Sequence, residues 1–422
     1  MMNWYKTTVV AVCLLGFTIS ACSDNAACAL GQSGSAKKTS GDVVLETTLM
    51  DAQKLAETKQ RIKENDPALK PAMDQLIADA EAALLKGPYS VTHKSKVAPS
   101  GDKHDYASYS RYWWPDPNKA DGLPYIRRDG ETNPASQGLE ESDRQRIEVV
   151  GVHTEALGIA YYFTGEEKYA KKAAEILRVW FLDPATRMNP NVNHGQVRLG
   201  HNTGTKGGVL DGRMMMRALE GGNLLAGSSA LSDTEREGLK AWAGEYFKWL
   251  KTGKHAVAEA ASTNNHGTFF DAQAMYFALY SGNKEEAKRI AEKAIEKRLL
   301  SQIKEDGSMP EELARTRPQF YSNYNLHAHF VVALLAEKVG VDMWQAGGGR
   351  LRAAVDYLAP YSDPSVPWPH KSIKENDRMN MFPILMMADL KYPDENYRKM
   401  AEKLPLKDRQ IRRENLAFPL MR

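Results

Sequence analysis

Residues 158–171 read GIAYYFTGEEKYAK, and residues 275–288 read MYFALYSGNKEEAK. In both stretches an aromatic-rich segment ends at a Thr-Gly or Ser-Gly pair, and a segment rich in Ala, Lys and Glu follows. Glycine readily takes the left-handed conformation that ends a helix, so each stretch predicts a helix, a tight turn and a returning helix. Recurrence of this unit predicts stacked helical hairpins, arranged either as a solenoid or as a closed toroid.

Helical patterns extend to both sides of these hairpins. Apolar residues recur at three- and four-residue spacing over Thr47–Glu64 and Pro67–Leu85, which predicts a first antiparallel helix pair. Ser232 and Glu235 form the pattern of a capping box and predict a helix over residues 239–250. A credible alternating strand series is missing from the sequence, so the expected fold class is all-α.

The stretch Tyr89–Glu140 has a different character, with many Pro, Gly, Asp and aromatic residues. A loop of this length inside a compact domain is usually functional or disordered, and its aromatic content argues against disorder. We therefore expect this loop to contribute to a site.

Composition limits the classes of function. The chain has 422 residues, of which 42% are hydrophobic and 26% charged, which suffices for one large core or two modest ones. The net charge of +3 is too small for a general nucleic-acid binder. It leaves open a local basic cleft for an acidic ligand.

The first residues predict export. Lys6 precedes an apolar run over Thr7–Ile19 that is short for a membrane span, and the sequence ISAC that ends at Cys22 has the form of a bacterial lipobox. We expect residues 1–21 to be a signal peptide and Cys22 to carry a lipid anchor, in the periplasm or at the outer membrane. Ordinary secretion, with cleavage after the small residues at 27–29, is the alternative.

All three cysteines, Cys13, Cys22 and Cys28, lie in or next to this leader. The remainder of the chain therefore has no thiol for disulfides, metal sites or nucleophilic catalysis. Residues 22–42 are rich in Ser, Gly, Ala and Lys and predict a flexible tether. Residues 43–422 are expected to form a single domain.

Two polar segments carry the chemistry, namely residues 262–270 (STNNHGTFF) and residues 312–324 (ELARTRPQFYSNY). Together they offer amide, imidazole, guanidinium and phenol groups. This set suits removal of a proton next to a sugar carboxylate, because that carboxylate must be neutralised before the proton can leave.

Asn265, His266 and Arg315 are the candidate groups for neutralising the carboxylate. Tyr321 could act as base and then as acid if Arg315 or Arg317 lowers its pKa. Each of these residues also has an ordinary structural role open to it, such as helix capping, packing or ion pairing with a neighbouring glutamate.

The Asn-Asn-His segment, followed by Glu-Leu-x-Arg and Tyr, resembles the alginate lyase family of α/α-toroid polysaccharide lyases. Residues 110–117 (SRYWWPDP) and 122–134 (GLPYIRRDGETNP) are similar to the amino-terminal signature of that family, and the resemblance spans roughly Tyr89–Pro369. It implies a toroid or incomplete barrel of helical hairpins. It also implies β-elimination on β-1,4-linked polyuronates, with polymannuronate as the expected substrate and 4,5-unsaturated products.

The resemblance implies that Asn265 and His266 neutralise the carboxylate, that Arg315 holds the site and that Tyr321 is the catalytic tyrosine. One departure is that the gap from Arg to Tyr is one residue shorter than in the family pattern, and that Ser322 stands where a His usually follows. Tyr324 is therefore a second candidate for the catalytic tyrosine. The departure also suggests a branch in which glucuronan lyases are found.

Further residues are expected to bind substrate. Aromatic rings would stack on sugar faces and arginines would pair with uronate carboxylates, although one tryptophan is expected merely to plug the toroid floor. These residues are Tyr112, Trp113, Trp114, Tyr125, Arg127, Arg128, Arg317 and Tyr324. A loop over residues 191–204 adds His194 and His201, which could face the Asn-Asn-His helix across the cleft.

Neither a metal nor a cofactor is expected. His327 and His329 are spaced two residues apart and would point to different faces of a helix, and no HExxH pattern is present in the sequence. The expected partner is an acidic polysaccharide, with no nucleic acid, with the membrane reached only through the lipid anchor, and with the protein as a monomer.

The sequence is also compatible with two other functions. A non-catalytic glycan-binding lipoprotein would need the aromatic residues and arginines but not Asn265, His266 and Tyr321 together. A glycoside hydrolase would need a pair of carboxylates across the cleft. The candidate carboxylates for such a pair are Asp116, Asp129, Glu140 and Asp211.

Overall fold

The structure is a computed structural model that describes residues 45–138, 141–393 and 396–419. The described residues fall within one compact unit, Val43–Arg422. The predicted signal peptide, the lipid attachment at Cys22 and the whole predicted tether lie outside the described residues.

The described chain is mainly helical, with a few short strands. The α-helices are α1 (Ala52–Lys63), α2 (Lys70–Leu84), α3 (Arg144–Thr164), α4 (Glu167–Leu177), α5 (Arg213–Asn223), α6 (Asp233–Thr252), α7 (Lys254–Ala260), α8 (Asn265–Tyr280), α9 (Lys284–Ala294), α10 (Pro310–Leu313), α11 (Pro318–Glu337), α12 (Ala346–Leu358), α13 (Phe382–Lys391), α14 (Tyr397–Glu402) and α15 (Leu406–Arg409). The strands are β1 (Ala107–Tyr109), β2 (Trp113–Trp114), β3 (Ile126–Arg127) and β4 (His194–Val197).

The helices form hairpins in two layers. Helices α3, α5, α8 and α11 are buried on most of their faces and contact one another in chain order, which makes them the inner layer. Helix α9 instead buries one stripe, Ala287, Ala291 and Ala294, and exposes Lys and Glu, as expected of an outer helix. This arrangement confirms the predicted all-α toroid or incomplete barrel of helical hairpins.

The turns predicted from the two similar stretches are present. Gly165 ends α3 with φ of 73°, and Gly282 follows α8 with φ of 86°, so both take the left-handed conformation. The capping box also forms, since the side chains of Ser232 and Glu235 each accept a hydrogen bond from the backbone N–H of the other. The hairpin pattern therefore placed these helix ends correctly.

The predicted first helix pair is confirmed as α1 and α2. Helix α1 begins later than the periodicity suggested, because the carboxylate of Asp51 accepts a hydrogen bond from the backbone N–H of Lys54 and caps the helix there. The residues before it are held by Glu220 of α5, whose carboxylate accepts hydrogen bonds from the N–H groups of Leu49 and Met50.

The long aromatic loop is ordered by short strands. Strand β1 pairs in parallel with β4, and β2 pairs with β3 in an antiparallel ladder that sets Trp113 opposite Arg127 and Trp114 opposite Ile126. These pairings fix the aromatic loop next to the polar segment around β4. Across the described ranges, the structure has no helix that is both long and apolar enough to cross a membrane.

Candidate active site

A cleft of about 520 Å³ is lined by residues from both polar segments, from the aromatic loop and from β4 and its neighbourhood. None of its described lining residues is acidic, whereas seven are basic, namely Arg111, Arg127, Arg144, Arg198, Lys206, Arg213 and Arg315. A cleft lined by one sign of charge concentrates ligands of the opposite sign. The cleft therefore suits a polyanion.

The four predicted catalytic residues, Asn265, His266, Arg315 and Tyr321, all line this cleft. Asn265 and His266 occupy the first turn of α8, where Asn264 is the N-cap. Arg315 lies in the turn between α10 and α11, and Tyr321 lies in the first turns of α11. The turn before α11 and the start of α8 thus bring the two polar segments together.

His266 is held by a buried acid. Its Nδ1 lies against Oε1 of Glu259, which belongs to α7 and is 0% exposed, while 28% of the His266 side chain is exposed. The other oxygen of Glu259 accepts a hydrogen bond from Oγ of Ser262 at 3.1 Å, and this Oγ accepts one from Nζ of Lys206 at 2.9 Å. Because Nδ1 is bound to Glu259, Nε2 is the ring nitrogen left for a ligand.

Asn265 is held by a second buried acid, Glu312. The backbone N–H of Asn265 donates to Oε1 of Glu312 at 2.6 Å, and its Nδ2 lies 3.0 and 2.8 Å from the two carboxylate oxygens. Burial raises the pKa of Glu312, and the hydrogen bonds from Asn265 act against that rise. Glu312 thus fixes the side chain of Asn265 rather than pairing with an arginine.

Arg315 joins the aromatic loop to the catalytic segment. Its Nη2 donates to Oδ1 of Asp129 at 3.0 Å, and its guanidinium carbon lies 3.7 Å from the ring centre of Tyr321. Asp129 also binds Nη2 of Arg127 at 2.7 Å and Oγ1 of Thr316 at 3.0 Å. Burial acts to raise the pKa of Asp129, but Arg315, Arg127 and Thr316 together outweigh burial, so that the pKa is lowered and the carboxylate stays charged.

Tyr321 is 5% exposed, and its hydroxyl donates to the hydroxyl of Tyr112 at 2.9 Å. Its pKa is raised, because burial and the neighbouring Tyr112 outweigh the opposing charge of Arg315. The predicted lowering of this pKa is therefore wrong for the free cleft. Charge proximity alone suggested it, and the sequence does not reveal how deeply the phenol is buried.

Tyr324 and Arg317, the other predicted residues of the second polar segment, differ in whether they line the cleft. Tyr324 lines the cleft and packs against Phe269, with ring centres 4.3 Å apart. Arg317 is stacked on Phe320, 4.4 Å from its ring centre, and is not among the described residues that line the cleft. Of the two candidate catalytic tyrosines, Tyr321 is the one that contacts both Arg315 and Tyr112.

The predicted aromatic residues take different positions. Tyr112 and Trp113 line the cleft, and the guanidinium of Arg198 lies 4.7 Å from the ring of Trp113. Trp114 is turned away, with Arg128 at 5.0 Å from its ring, and neither lines the cleft. Tyr125 lines an adjoining smaller pocket.

His194 and His201 lie outside the lining of the cleft. Nδ1 of His194 is 2.8 Å from the carbonyl oxygen of Thr203, and Nε2 of His201 is 2.8 Å from that of Tyr125. His201 also packs edge-on against Trp113 at 4.9 Å. The same segment instead contributes Gln196 and Arg198 to the cleft.

Several residues of the site were not predicted from the sequence, namely Arg111, Arg144, Gln196, Arg198, Lys206, Arg213, Glu259 and Glu312. Four of them lie in segments that the sequence singles out: Arg111 in residues 110–117, Gln196 and Arg198 in the loop 191–204, and Glu312 in the polar segment 312–324. Arg144 forms an ion pair with buried Asp211, which also accepts hydrogen bonds from Tyr106 and Ser108. Only long-range contacts reveal these roles.

The carboxylates considered for a hydrolase do not form a pair in the cleft. Asp116, Asp129 and Asp211 are not among its described lining residues, and Glu140 lies outside the described ranges. Within residues 45–138, 141–393 and 396–419, no group of three or more His, Cys, Asp or Glu could hold a metal ion.

Comparisons with known proteins bear on this geometry. The family model described as Alginate lyase matches residues 90–368. A solved alginate lyase from Bacteroides ovatus is 37% identical, with 88% of this chain and 99% of that chain covered and a TM-score of 0.83. Alginate lyase A1-III from Sphingomonas species A1 is 16% identical, with coverages of 78% and 88% and a TM-score of 0.50, a likeness of fold alone. The search of curated proteins finds no match.

Proposed function

Because this chain belongs to the alginate lyase family and is therefore a polysaccharide lyase, we propose that it cleaves the β-1,4 linkages of alginate, with polymannuronate as its preferred polymer. The resemblance in the sequence is thus confirmed, and family membership supports a lyase over a purely glycan-binding protein. The relative from Bacteroides ovatus, described as an alginate lyase, supports the choice of substrate.

The proposal rests mainly on one observation: His266, Arg315 and Tyr321 line the same basic cleft. None of the described residues that line this cleft is acidic. Elimination from a uronate places negative charge on a carboxylate that is already charged. Groups fixed in advance around that carboxylate stabilise the developing charge without reorganising during the reaction.

In the proposed reaction Asn265, His266 and Arg315 surround the carboxylate at C5 of the uronate, which makes the C5 proton easier to remove. The phenolate of Tyr321 takes that proton. Electrons of the C5–H bond form the C4=C5 double bond, and the C4–O4 bond breaks. Tyr321 then returns the proton to O4, so that the enzyme ends as it began.

The surroundings of Tyr321 support both halves of this cycle. Its raised pKa keeps the resting phenol protonated, so Tyr321 must lose that proton to solvent before it can act as the base. The phenol that forms on taking the C5 proton then holds the proton that O4 receives. When it is deprotonated, Arg315 over the ring and the hydroxyl of Tyr112 at 2.9 Å would stabilise the phenolate.

The experiment is a comparison of polymannuronate, polyguluronate and glucuronan as substrates of the purified protein. The unsaturated uronate product is conjugated and absorbs in the ultraviolet, so its appearance measures elimination directly. We expect the fastest rise with polymannuronate. A rise in absorbance with glucuronan alone would identify the protein as a glucuronan lyase. No rise in absorbance with any of the three polymers would refute the proposal.

We also propose that the protein is exported and anchored through a lipid on Cys22. The lipobox sequence that ends at Cys22 supports this. Wild-type protein should label with palmitate and sediment with membranes, whereas Cys22→Ala should do neither. Equal sedimentation of both proteins would contradict the anchor.

A further inference from the structure

Glu259 lies behind the cleft rather than in its lining, yet it contacts His266, which lines the cleft. It is fully buried, and its two carboxylate oxygens bind different partners. Oε1 accepts from Nδ1 of His266, and Oε2 accepts from Oγ of Ser262, which in turn binds Lys206 of the cleft. The acid thus connects two groups that line the cleft, His266 directly and Lys206 through Ser262.

We propose that Glu259 is a positioning residue that fixes the ring of His266 so that Nδ1–H is bound to Glu259 and Nε2 points at the substrate carboxylate. This rests on the proposed function, because only a cleft in which His266 meets that carboxylate needs Nε2 to be fixed. Glu259 itself touches no reacting atom.

The chemistry of imidazole supports this role. A carboxylate accepts hydrogen bonds and cannot donate them, so Nδ1 of His266 must carry the hydrogen that Glu259 accepts. Without such a partner the ring could turn over or exchange tautomers, and Nε2 would be presented only part of the time. Nε2 can donate to the substrate carboxylate only when it carries a hydrogen as well, and the negative charge of Glu259 then balances the charge of the doubly protonated ring.

The cost of burying an acid points the same way. An isolated buried carboxylate is unfavourable unless it is paired and hydrogen-bonded. The partners of the Glu259 side chain in the described structure are His266 and Ser262. If the acid served only to join α7 to α8, its loss would lower stability and leave the chemical step unchanged.

Glu259→Gln keeps the shape of the side chain but loses its charge. Because Oγ–H of Ser262 needs the amide oxygen as acceptor, the amide NH2 faces Nδ1 of His266 and cannot accept its hydrogen. We expect kcat to fall by about 10- to 100-fold, the size of effect typical of partners that orient metal-bound histidines, with little change in KM. Glu259→Asp, which keeps the charge on a shorter side chain, should recover part of kcat. Wild-type kcat in Glu259→Gln would overturn the proposal.

Glu220 offers a matched control, because it is also a buried carboxylate and accepts hydrogen bonds from the N–H groups of Leu49 and Met50, remote in sequence from the polar segments. Glu220→Gln should lower the melting temperature and leave kcat unchanged. Equal losses of kcat in Glu220→Gln and Glu259→Gln would mean that burial alone matters, and the positioning role would fall.

A second measurement does not depend on turnover. In protein labelled with ¹⁵N-histidine, the ring signals of His266 are those absent from the spectrum of His266→Ala, and long-range correlations identify which ring nitrogen carries hydrogen. We expect hydrogen on Nδ1. A bare Nδ1 would contradict the proposal even in an active enzyme, whereas the expected spectrum in a protein that cleaves no polymer would refute only the proposed function.

Discussion

At Tyr321 the burial of one hydroxyl determines how activity should depend on pH. Its pKa is raised above the usual value for tyrosine, because burial and Tyr112 outweigh Arg315. Below that pKa the phenolate is a minor species, and its population grows about tenfold for each pH unit. If the phenolate is the base, kcat/KM should therefore rise steadily from neutral to alkaline pH.

The measurement is kcat/KM on polymannuronate across the pH range in which the protein stays folded, checked by circular dichroism at each point. Tyr324→Phe is the control and should show the same slope. A profile that is flat above neutral pH would mean that another group takes the C5 proton.

Among the elements, the contact between β4 and the segment before α5 shapes one wall of the cleft. Gly208 packs so closely on Gly195 that a Cβ at position 208 would overlap the backbone of Gly195. β4 and its continuation carry Gln196 and Arg198, and Lys206 precedes Gly208, so these elements must stay in register for their side chains to face substrate.

Gly208→Ala should therefore lower the free energy of unfolding by about 1–3 kcal/mol, as overpacking usually does, and raise KM. The control is Gly244→Ala in α6, where a Cβ would lie 3.6 Å from Cβ of Ser281, an ordinary contact. Alanine favours a helix interior over glycine, so this variant should gain about 0.5–1 kcal/mol. Urea denaturation measures both, and equal stability of Gly208→Ala and wild type would contradict the contact.

Features set by neighbouring residues could be predicted from the sequence, whereas contacts between distant residues could not. Helices, the turns at Gly165 and Gly282 and the capping box at Ser232 depend on neighbouring residues, and these were predictable. The contact between Asp129 and Arg315 joins residues 186 positions apart, and nothing local marks it. Glu259 likewise looks like a surface carboxylate on a charged helix until folding buries it against His266.

Across the whole molecule, buried histidines link stability to acidity. Burial, together with the charges of Arg213 and Arg217, lowers the pKa of His327 to about 4. An unfolded histidine titrates near its ordinary value of about 6.5, so between about 6.5 and about 4 the unfolded chain binds a proton that the folded protein does not. The stability contributed by neutral His327 is present above this window and is lost as the pH falls through it.

His327→Leu should remove this proton linkage, which is worth on the order of 3 kcal/mol. Within the described residues neither ring nitrogen of His327 has a hydrogen-bond partner, so leucine breaks no such bond. The variant should match wild type at neutral pH and unfold at a lower pH in an acid titration followed by circular dichroism. An unchanged acid midpoint would contradict the assignment.

The proposed reaction depends on the hydroxyl of Tyr321 as base and acid. The most direct test of this role compares Tyr321→Phe with Tyr324→Phe. Initial rates of unsaturated product from polymannuronate would be set beside binding of an oligomannuronate by calorimetry. We predict that Tyr321→Phe binds but does not turn over, because only the transferable proton is lost, and that Tyr324→Phe keeps most of its rate. Near-normal turnover by Tyr321→Phe would contradict the account and identify another residue as the acid and base.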